Sequence, residues 1–226
     1  MGMFEIKNNN NKLIVSETVP CMQLLKTCKI SAYDERASSS YKDNIRLVYN
    51  NIGGLVYFAG FNLNDLANGK YCISTRPQGS PSENAYSINI YYPSNGYESV
   101  KNVSVYFFGA KAANLSTHQT GLEIYDGRSS KHIMFTSKSG TKYLQVTNFS
   151  TAKNATFTLT SNPTIFCIMG YHANKQNGKY YCYYPFVTKN GNTVTVSHEN
   201  AVGAVFYSDY NFDTFSWMLA DTYIVG

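Results

Sequence analysis

The sequence predicts an all-β protein, read as two tandem β-sandwich-like domains with an internal duplication. Three observations carry this. The 226 residues are 43% hydrophobic but only 15% charged, against about 25% charged in an ordinary globular chain. Neutral polar residues replace the missing charges, with 24 Asn, 22 Ser and 18 Thr, while 20 Tyr and 13 Phe supply much of the apolar area. That area is ample for a core and excludes disorder, and Glu, Lys, Ala and Leu are too scarce for a helical protein. Second, β-branched and aromatic runs are punctuated by 16 Gly and frequent Asn, the composition of strands and turns. Third, no stretch longer than about ten residues follows a helical period.

The elements repeat. Residues Gly2 to Ile6, a polar run from Lys7 to Asn11, and Lys12 to Val15 read as strand, turn, strand. Gly121 to Tyr125, Asp126 to Ser130 and Lys131 to Phe135 restate that plan. Further on, Val56 to Phe61 precedes Asn68-Gly69-Lys70-Tyr71-Cys72, and Ile165 to Tyr171 precedes Asn177-Gly178-Lys179-Tyr180. Asn-Gly is the preferred pair for a two-residue hairpin turn. A weaker third match sets Ser104 to Phe108 beside Ala204 to Tyr207, each following an Asn-Gly pair, Asn95-Gly96 and Asn190-Gly191. These repeats place a boundary near His118, giving domains at 1–118 and 119–226 with Lys111 to Thr120 as connector.

Among the remaining elements, Ala85 to Tyr92 alternates as a half-buried strand, and Thr156 to Thr160, Thr193 to Ser197 and Tyr183 to Val187 read as strands. Pro185 assigns the last to an edge or bulge. Arg76 to Asn84 is a loop by composition. Val19 to Leu25 and Phe61 to Ala67 are the best helical candidates, a turn or two each.

Composition also limits function. The net charge of +5 is spread singly, without the patch of a nucleic-acid binder. The N-terminal residues lack the apolar core of a signal peptide, Ile6 breaks the myristoylation pattern, and no apolar run approaches a membrane span. Five cysteines, at 21, 28, 72, 167 and 182, form no Cys-x-x-Cys pair and are read as buried free thiols. Sequons at Asn102, Asn114, Asn148 and Asn154 are what a chain rich in Asn, Ser and Thr produces by chance.

Catalytic and metal motifs fail on their spacing. Both Gly-Lys pairs, Gly69-Lys70 and Gly178-Lys179, lack the second Gly of a phosphate loop and are followed by Tyr. Asp209-x-Asn211-x-Asp213 opens like a calcium loop, but Thr214 and Ala220 stand where Gly and Glu are needed. His118, His132, His172 and His198 never fall at metal-pair spacing, and the Gly-x-Ser-x-Gly elbow is absent. A glycosidase carboxylate pair is made in space, and no acid here has a sequence setting that marks it. The expectation is a protein that is not an enzyme, with no cofactor and no metal.

Aromatic surface remains. Tyr91, Tyr92 and Tyr97, and Tyr180, Tyr181, Tyr183 and Tyr184, place rings at adjacent strand positions, so some must point away from a one-sided core. With Trp217 they are the candidates for an interface or for stacking on a glycan.

The opening from Gly2 to Val15, running into Ser16-Glu17-Thr18-Val19, and its second copy at Gly121 to Phe135 resemble the start of small tail and virion proteins of tailed bacteriophages. Those proteins share the Asn, Ser, Thr, Gly and Tyr-rich, lightly charged, β-structured character of this chain. Cys21 and Cys28 depart from the pattern. The resemblance implies a structural protein of the tail tip, fibre base or another attachment part, assembled in the bacterial cytoplasm. Its expected partners are other virion proteins and further copies of itself, with a host surface glycan as an added candidate, and neither nucleic acid nor membrane insertion. The alternative expectation is a carbohydrate-binding adhesin or lectin module. A surface polysaccharide hydrolase stands third.

Overall fold

The structure, a computed structural model, describes residues 5–7, 13–16, 22–38, 45–77, 85–92, 96–112, 123–125, 132–152, 154–160, 163–169, 172–176, 179–206 and 216–224. It is all-β. The first half contributes β1 (Glu5–Lys7), β2 (Leu13–Ser16), β3 (Gln23–Lys29), β4 (Glu35–Ser38), β5 (Ile45–Asn50), β6 (Gly54–Asn62), β7 (Gly69–Pro77), β8 (Ala85–Tyr92) and β9 (Ser104–Ala112). The second contributes β10 (Glu123–Tyr125), β11 (His132–Thr136), β12 (Lys142–Ser150), β13 (Ala155–Thr158), β14 (Ile165–Met169), β15 (His172–Gln176), β16 (Lys179–Asn190), β17 (Thr193–Phe206) and β18 (Ser216–Ile224). A 3-10 turn at Leu63–Asp65 and a short helix, α1 (Gly96–Val100), are the helical pieces among the described residues.

One sheet runs β10-β11-β9-β3-β12-β18-β14-β6, and β6 also pairs with β9. Six of its strands therefore close into a barrel, with β11 and β10 extending from β9. The second sheet runs β13-β17-β16-β7-β8-β5-β4, with β15 added on β16. Among the described residues the hairpin β1–β2 forms a two-stranded sheet of its own.

Alternation along the barrel strands explains the two cores. Phe58, Phe108, Ile165, Cys167, Met218 and Ala220, with Leu24 and Leu144 against them, come only from barrel strands and fill the barrel. The neighbouring positions Val105, Phe107, Phe166, Trp217 and Leu219 face the other way. They pack with Leu47, Tyr49, Tyr71, Ile73, Ile88, Ile90, Val187, Val194 and Val196 of the second sheet. Gly109 lets β9 lie close to β6: a Cβ there would overlap the Leu55 carbonyl oxygen and come 2.9 Å from its carbon.

The tandem arrangement expected from the repeats is not the one the strands adopt. Both sheets cross the boundary at residue 118. In the barrel, β6-β9-β3 forms an arc whose outer strands find partners only in β14 and β12, and in the second sheet β7 finds β16. Three strands cannot close a barrel, so each half completes the other. The third sequence match is also replaced: β9 and β18 hold corresponding places in the barrel, whereas Ala204 to Phe206 belong to β17.

Local expectations fare unevenly. Ala85–Tyr92 is a strand from end to end, and the strands expected near residues 156, 183 and 193 lie within or beside β13, β16 and β17. Pro185 sits inside long β16, where β15 pairing has ended at Tyr183 and β7 pairing starts at Val187. On that edge Pro185 falls in a gap between partners, while its other edge stays paired with His198 of β17. The helical reading of Val19 to Leu25 gives way to β3 from Gln23 onward, and residues 19–21 lie outside the described set. Phe61 to Ala67 yields only the 3-10 turn, and Arg76 with Pro77 completes β7 before the undescribed 78–84. Asn68-Gly69 connects barrel to second sheet rather than turning a hairpin, because β6 and β7 do not pair. The turn between β16 and β17 is Gly191-Asn192, flanked by the pair Asn190↔Thr193, with Gly191 at φ 59°.

Candidate interaction surfaces

The sequence-predicted aromatic positions divide into three groups. Tyr180, Tyr181, Tyr183 and Tyr184 lie on β16, opposite Lys175, Asn174 and His172 of β15 for the first three, and opposite Phe206, Val205, Asn200 and Glu199 of β17. Tyr91 and Tyr92 end β8, where Tyr92 is opposite Cys72. The side chains of these six lie outside the described set. Tyr97 on α1 is half-buried, edge-on to Tyr33 at 6.0 Å, with the Arg36 guanidinium 5.6 Å from its ring centre. The sheet order β16-β7-β8 separates the Tyr180–Tyr184 stretch from Tyr91 and Tyr92 by a strand.

Trp217 is not a surface platform. It is 2% exposed, stacked between Phe157 at 5.7 Å and Phe166 at 6.2 Å, and its indole N–H donates to the Ala152 carbonyl at 3.1 Å. Its position on β18 faces the space between barrel and second sheet, so it belongs to the core.

Folding assembles groups that no sequence motif announced. On β7, β16 and β17, the Lys70 ammonium bonds to Glu199 and lies 4.8 Å from the Phe186 ring centre, and the Ser197 hydroxyl donates to Glu199 at 2.8 Å. The Lys70 hydrogen bond holds the Glu199 carboxyl below its usual range, with Ser197 helping and partial burial opposing. Each charge is matched within the cluster, and the ion pair braces strands from both halves. Burial pushes the nearby Cys72 thiol well up, which keeps it protonated and unreactive.

At the barrel end, Lys189 donates to the carbonyls of Leu63, Asn64 and Leu66 at 3.0, 3.1 and 2.7 Å. Carbonyls at a helix end lack internal partners, and this ammonium supplies one to the 3-10 turn. Beside it, Asp65 accepts from the Ser104 N–H at 2.8 Å and pairs with Lys29 at 3.3 Å. Lys189 thus ties the second sheet to the turn that leaves β6, and Asp65 ties that turn back to β3 and β9 of the barrel.

Among the described residues the exposed large apolar side chains are Val146, Phe149 and Ile224, at 50, 57 and 59% exposure, all on β12 and β18. The bulge between Val146 and Asn148 sets Val146 opposite Ala220 and Phe149 opposite Met218. On its other edge, among the described residues, β12 meets β3 at Tyr143↔Gln23, with the Leu144 N–H donating to the Met22 carbonyl at 3.0 Å. The stretch from Tyr143 to Ala152 carries no charge.

No group of three metal-ligating side chains occurs among the described residues. Asp209, Asn211 and Asp213 lie outside that set, as do Cys21 and the side chain of Cys182, while Cys28 and Cys72 are free thiols. No described helix is long and apolar enough to cross a membrane. Comparison with known proteins finds no matching family model, no matching curated protein and no matching solved structure.

Proposed function

We propose that this chain is a non-enzymatic structural protein of a phage particle, a tail-tip, fibre-base or other attachment component that works through contacts with further copies and with other virion proteins. The observation that carries the self-association is the β12 edge. From Gln145 to Ser150 β12 has no described partner on its β3 side, carries no charge and shows Val146 and Phe149 to solvent, so it lacks the charged side chains that keep free monomers from pairing edge to edge. Covering it with another subunit removes that hazard and buries apolar area. The phage assignment is supported by the resemblance of Gly2 to Val15 and Gly121 to Phe135.

Within this reading the chain is an internal duplication closed on itself. Strands β3, β5, β6, β7, β8 and β9 take the same places, in the same chain order, as β12, β13, β14, β16, β17 and β18. The hairpins that precede each set share their register. Glu5↔Ser16, Ile6↔Val15 and Lys7↔Leu13 match Glu123↔Thr136, Ile124↔Phe135 and Tyr125↔Ile133, with the shift at the same step.

Light scattering across the micromolar range, with mass spectrometry of purified particles from a producing phage, tests the assignment. A concentration-dependent oligomer and the chain's peptides in the particle are expected. A stable monomer that binds glycans on an array would replace the proposal with the lectin reading.

A further inference from the structure

We infer that the outer edge of β13 is a docking site for β13 of a second copy of this chain, the two strands lying antiparallel about a two-fold axis. The inference deepens the self-assembly reading and rests on it, adding to the β12 contact a second surface with a stated register.

Comparison of the two halves shows where a strand is missing. In the second sheet β5 and β13 hold corresponding places, β5 beside β8 and β13 beside β17. Beyond β5 lies β4, paired from Glu35↔Val48 to Ser38↔Ile45. That strand is drawn from residues 30–44, which connect β3 to β5, whereas β12 and β13 are joined by residues 151–154, too few for a strand and its two turns. Among the described residues β13 therefore ends the sheet. Burial follows the same difference. Leu47 and Tyr49 of β5 are wholly buried, while Phe157 of β13 is half-buried and Asn154, Thr156, Thr158 and Thr160 are exposed.

The backbone of β13 is set for a further strand. Pairing with β17 runs from Ala155↔Val196 to Thr158↔Thr193, and the Leu159 N–H continues it by donating to the Asn192 carbonyl at 2.8 Å. Backbone groups alternate in direction along an antiparallel strand, so Ala155, Phe157 and Leu159 address β17. The N–H and C=O of Thr156 and Thr158 then point to the outer edge, where no described strand meets them.

Symmetry and charge favour a second copy as the occupant. Two-fold pairing that sets the outward residues against each other has one centred register: Thr156 opposite Thr158 of the second copy, Thr158 opposite its Thr156, and the two Phe157 facing across the axis. The threonine pairs exchange backbone bonds, and the Phe157 pair is the kind without them, in which side chains come closest. Thr–Thr and aromatic pairs are favourable across strands, and each Phe157 covers the open side of the other. A self-complementary contact also brings a surface against its own copy, so a chain of net charge +5 is least opposed where the surface carries no charge. Asn154 to Tyr171 is uncharged, and β13 has neither the Lys nor the Pro by which exposed edges avoid one another.

The test uses the full chain. Thr156→Pro removes an outward N–H that β17 does not use, and Thr158→Lys places a charge at an exposed position, so both are expected to fold as the wild type does by circular dichroism. A contact this short lies at the low end of specific interfaces, so light scattering of the wild type is expected to show association that is lost on dilution through the micromolar range. Each variant is expected to weaken it by about tenfold or more. Copies carrying Thr156→Cys are mixed with copies carrying Thr158→Cys under mild oxidation, and disulfides are mapped by mass spectrometry. Paired positions lie about 5.5 Å apart between Cα atoms, within disulfide reach, so a 156–158 bond is expected in the mixture and not in either sample alone. An oligomer unchanged in both variants and free of that bond overturns the β13 contact and leaves self-assembly through β12 standing. A wild-type monomer at every concentration overturns both readings. Should either variant fail to fold, the cross-link decides alone.

Discussion

Trp217 offers a direct test of how the barrel meets the second sheet. It is the one tryptophan of the chain, and its indole is buried between Phe157 of β13 and Phe166 of β14. In Trp217→Phe the stacked geometry is largely kept. The lost bond to Ala152 costs about 1 kcal/mol, and since Ala152 is exposed its carbonyl turns to water without further penalty. The smaller ring leaves a void of roughly 40 Å³, which at about 24 cal/mol per Å³ adds roughly 1 kcal/mol. The total is about 2 kcal/mol, or a fall of roughly 4–8 °C in Tm for a chain of this size. Trp217→Ala removes both ring contacts and belongs with buried aromatic truncations of about 3–5 kcal/mol. Urea unfolding followed by circular dichroism measures both without relying on the altered fluorophore. Wild-type emission is expected to be blue-shifted and poorly quenched by iodide. Readily quenched emission, or a Trp217→Phe variant within about 0.5 kcal/mol of wild type, would refute the placement of the indole in the interlayer core.

Four further outcomes follow from the same packing. Gly109→Ala drives a methyl into the Leu55 backbone, which cannot give way, so soluble yield and Tm should fall by more than for an ordinary overpacked site, about 3 kcal/mol or beyond. Lys189→Met leaves three carbonyls of the 3-10 turn without their ammonium and is expected to cost about 2–3 kcal/mol in urea unfolding; an unchanged midpoint would remove Lys189 from its bridging role. Burial pushes the Asp65 carboxyl up, but Ser104 and Lys29 outweigh it and hold the group low, and the Lys70 bond holds Glu199 low. A carboxyl depressed in the folded state adds stability that is complete above its unfolded pKa, about 4, and is lost as pH falls through the folded value. Tm should therefore drop on acidification below that range, and less steeply in Asp65→Asn; a Tm that rises in acid would contradict both networks. Finally, because the two halves complete one barrel, calorimetry should show a single transition, whereas two separable transitions would restore independent tandem domains.

Strand identity was legible where the local pattern determined it. Ala85–Tyr92 alternates cleanly because its two faces have different neighbours, with Tyr86, Ile88 and Ile90 in the interlayer core. The repeated hairpins were legible for a similar reason, since strand, turn and strand are contiguous. What escaped was partnership between distant strands. Nothing in Phe61 says that it will lie opposite Phe166, because register across the halves is decided by which open edges remain once each arc has formed. Trp217 was misplaced for a related reason: alternation gives the period of a strand but not which side faces the core when a barrel strand has apolar neighbours on both sides. The Lys70–Glu199 pair and the Lys189 cap join residues more than a hundred positions apart, so no spacing rule could find them.

The low charge has two physical sources that the sequence alone could not separate. Part is absorbed inside the chain: barrel strands bury both faces, and β8 does the same, with Ser87 and Asn89 as buried as Ile88 and Ile90. Strands covered on both sides read as lightly charged whether or not the protein has partners. The stretch from Tyr143 to Ala152 is different, because it is equally uncharged yet shows Val146, Thr147, Asn148 and Phe149 to solvent. Burial within the chain does not account for that segment, and neither does it account for Ile224 at the half-covered end of the adjoining strand. The proposal of subunit contact drawn from low charge thus narrows to two neighbouring strands, where it rests on particular side chains rather than on an average composition.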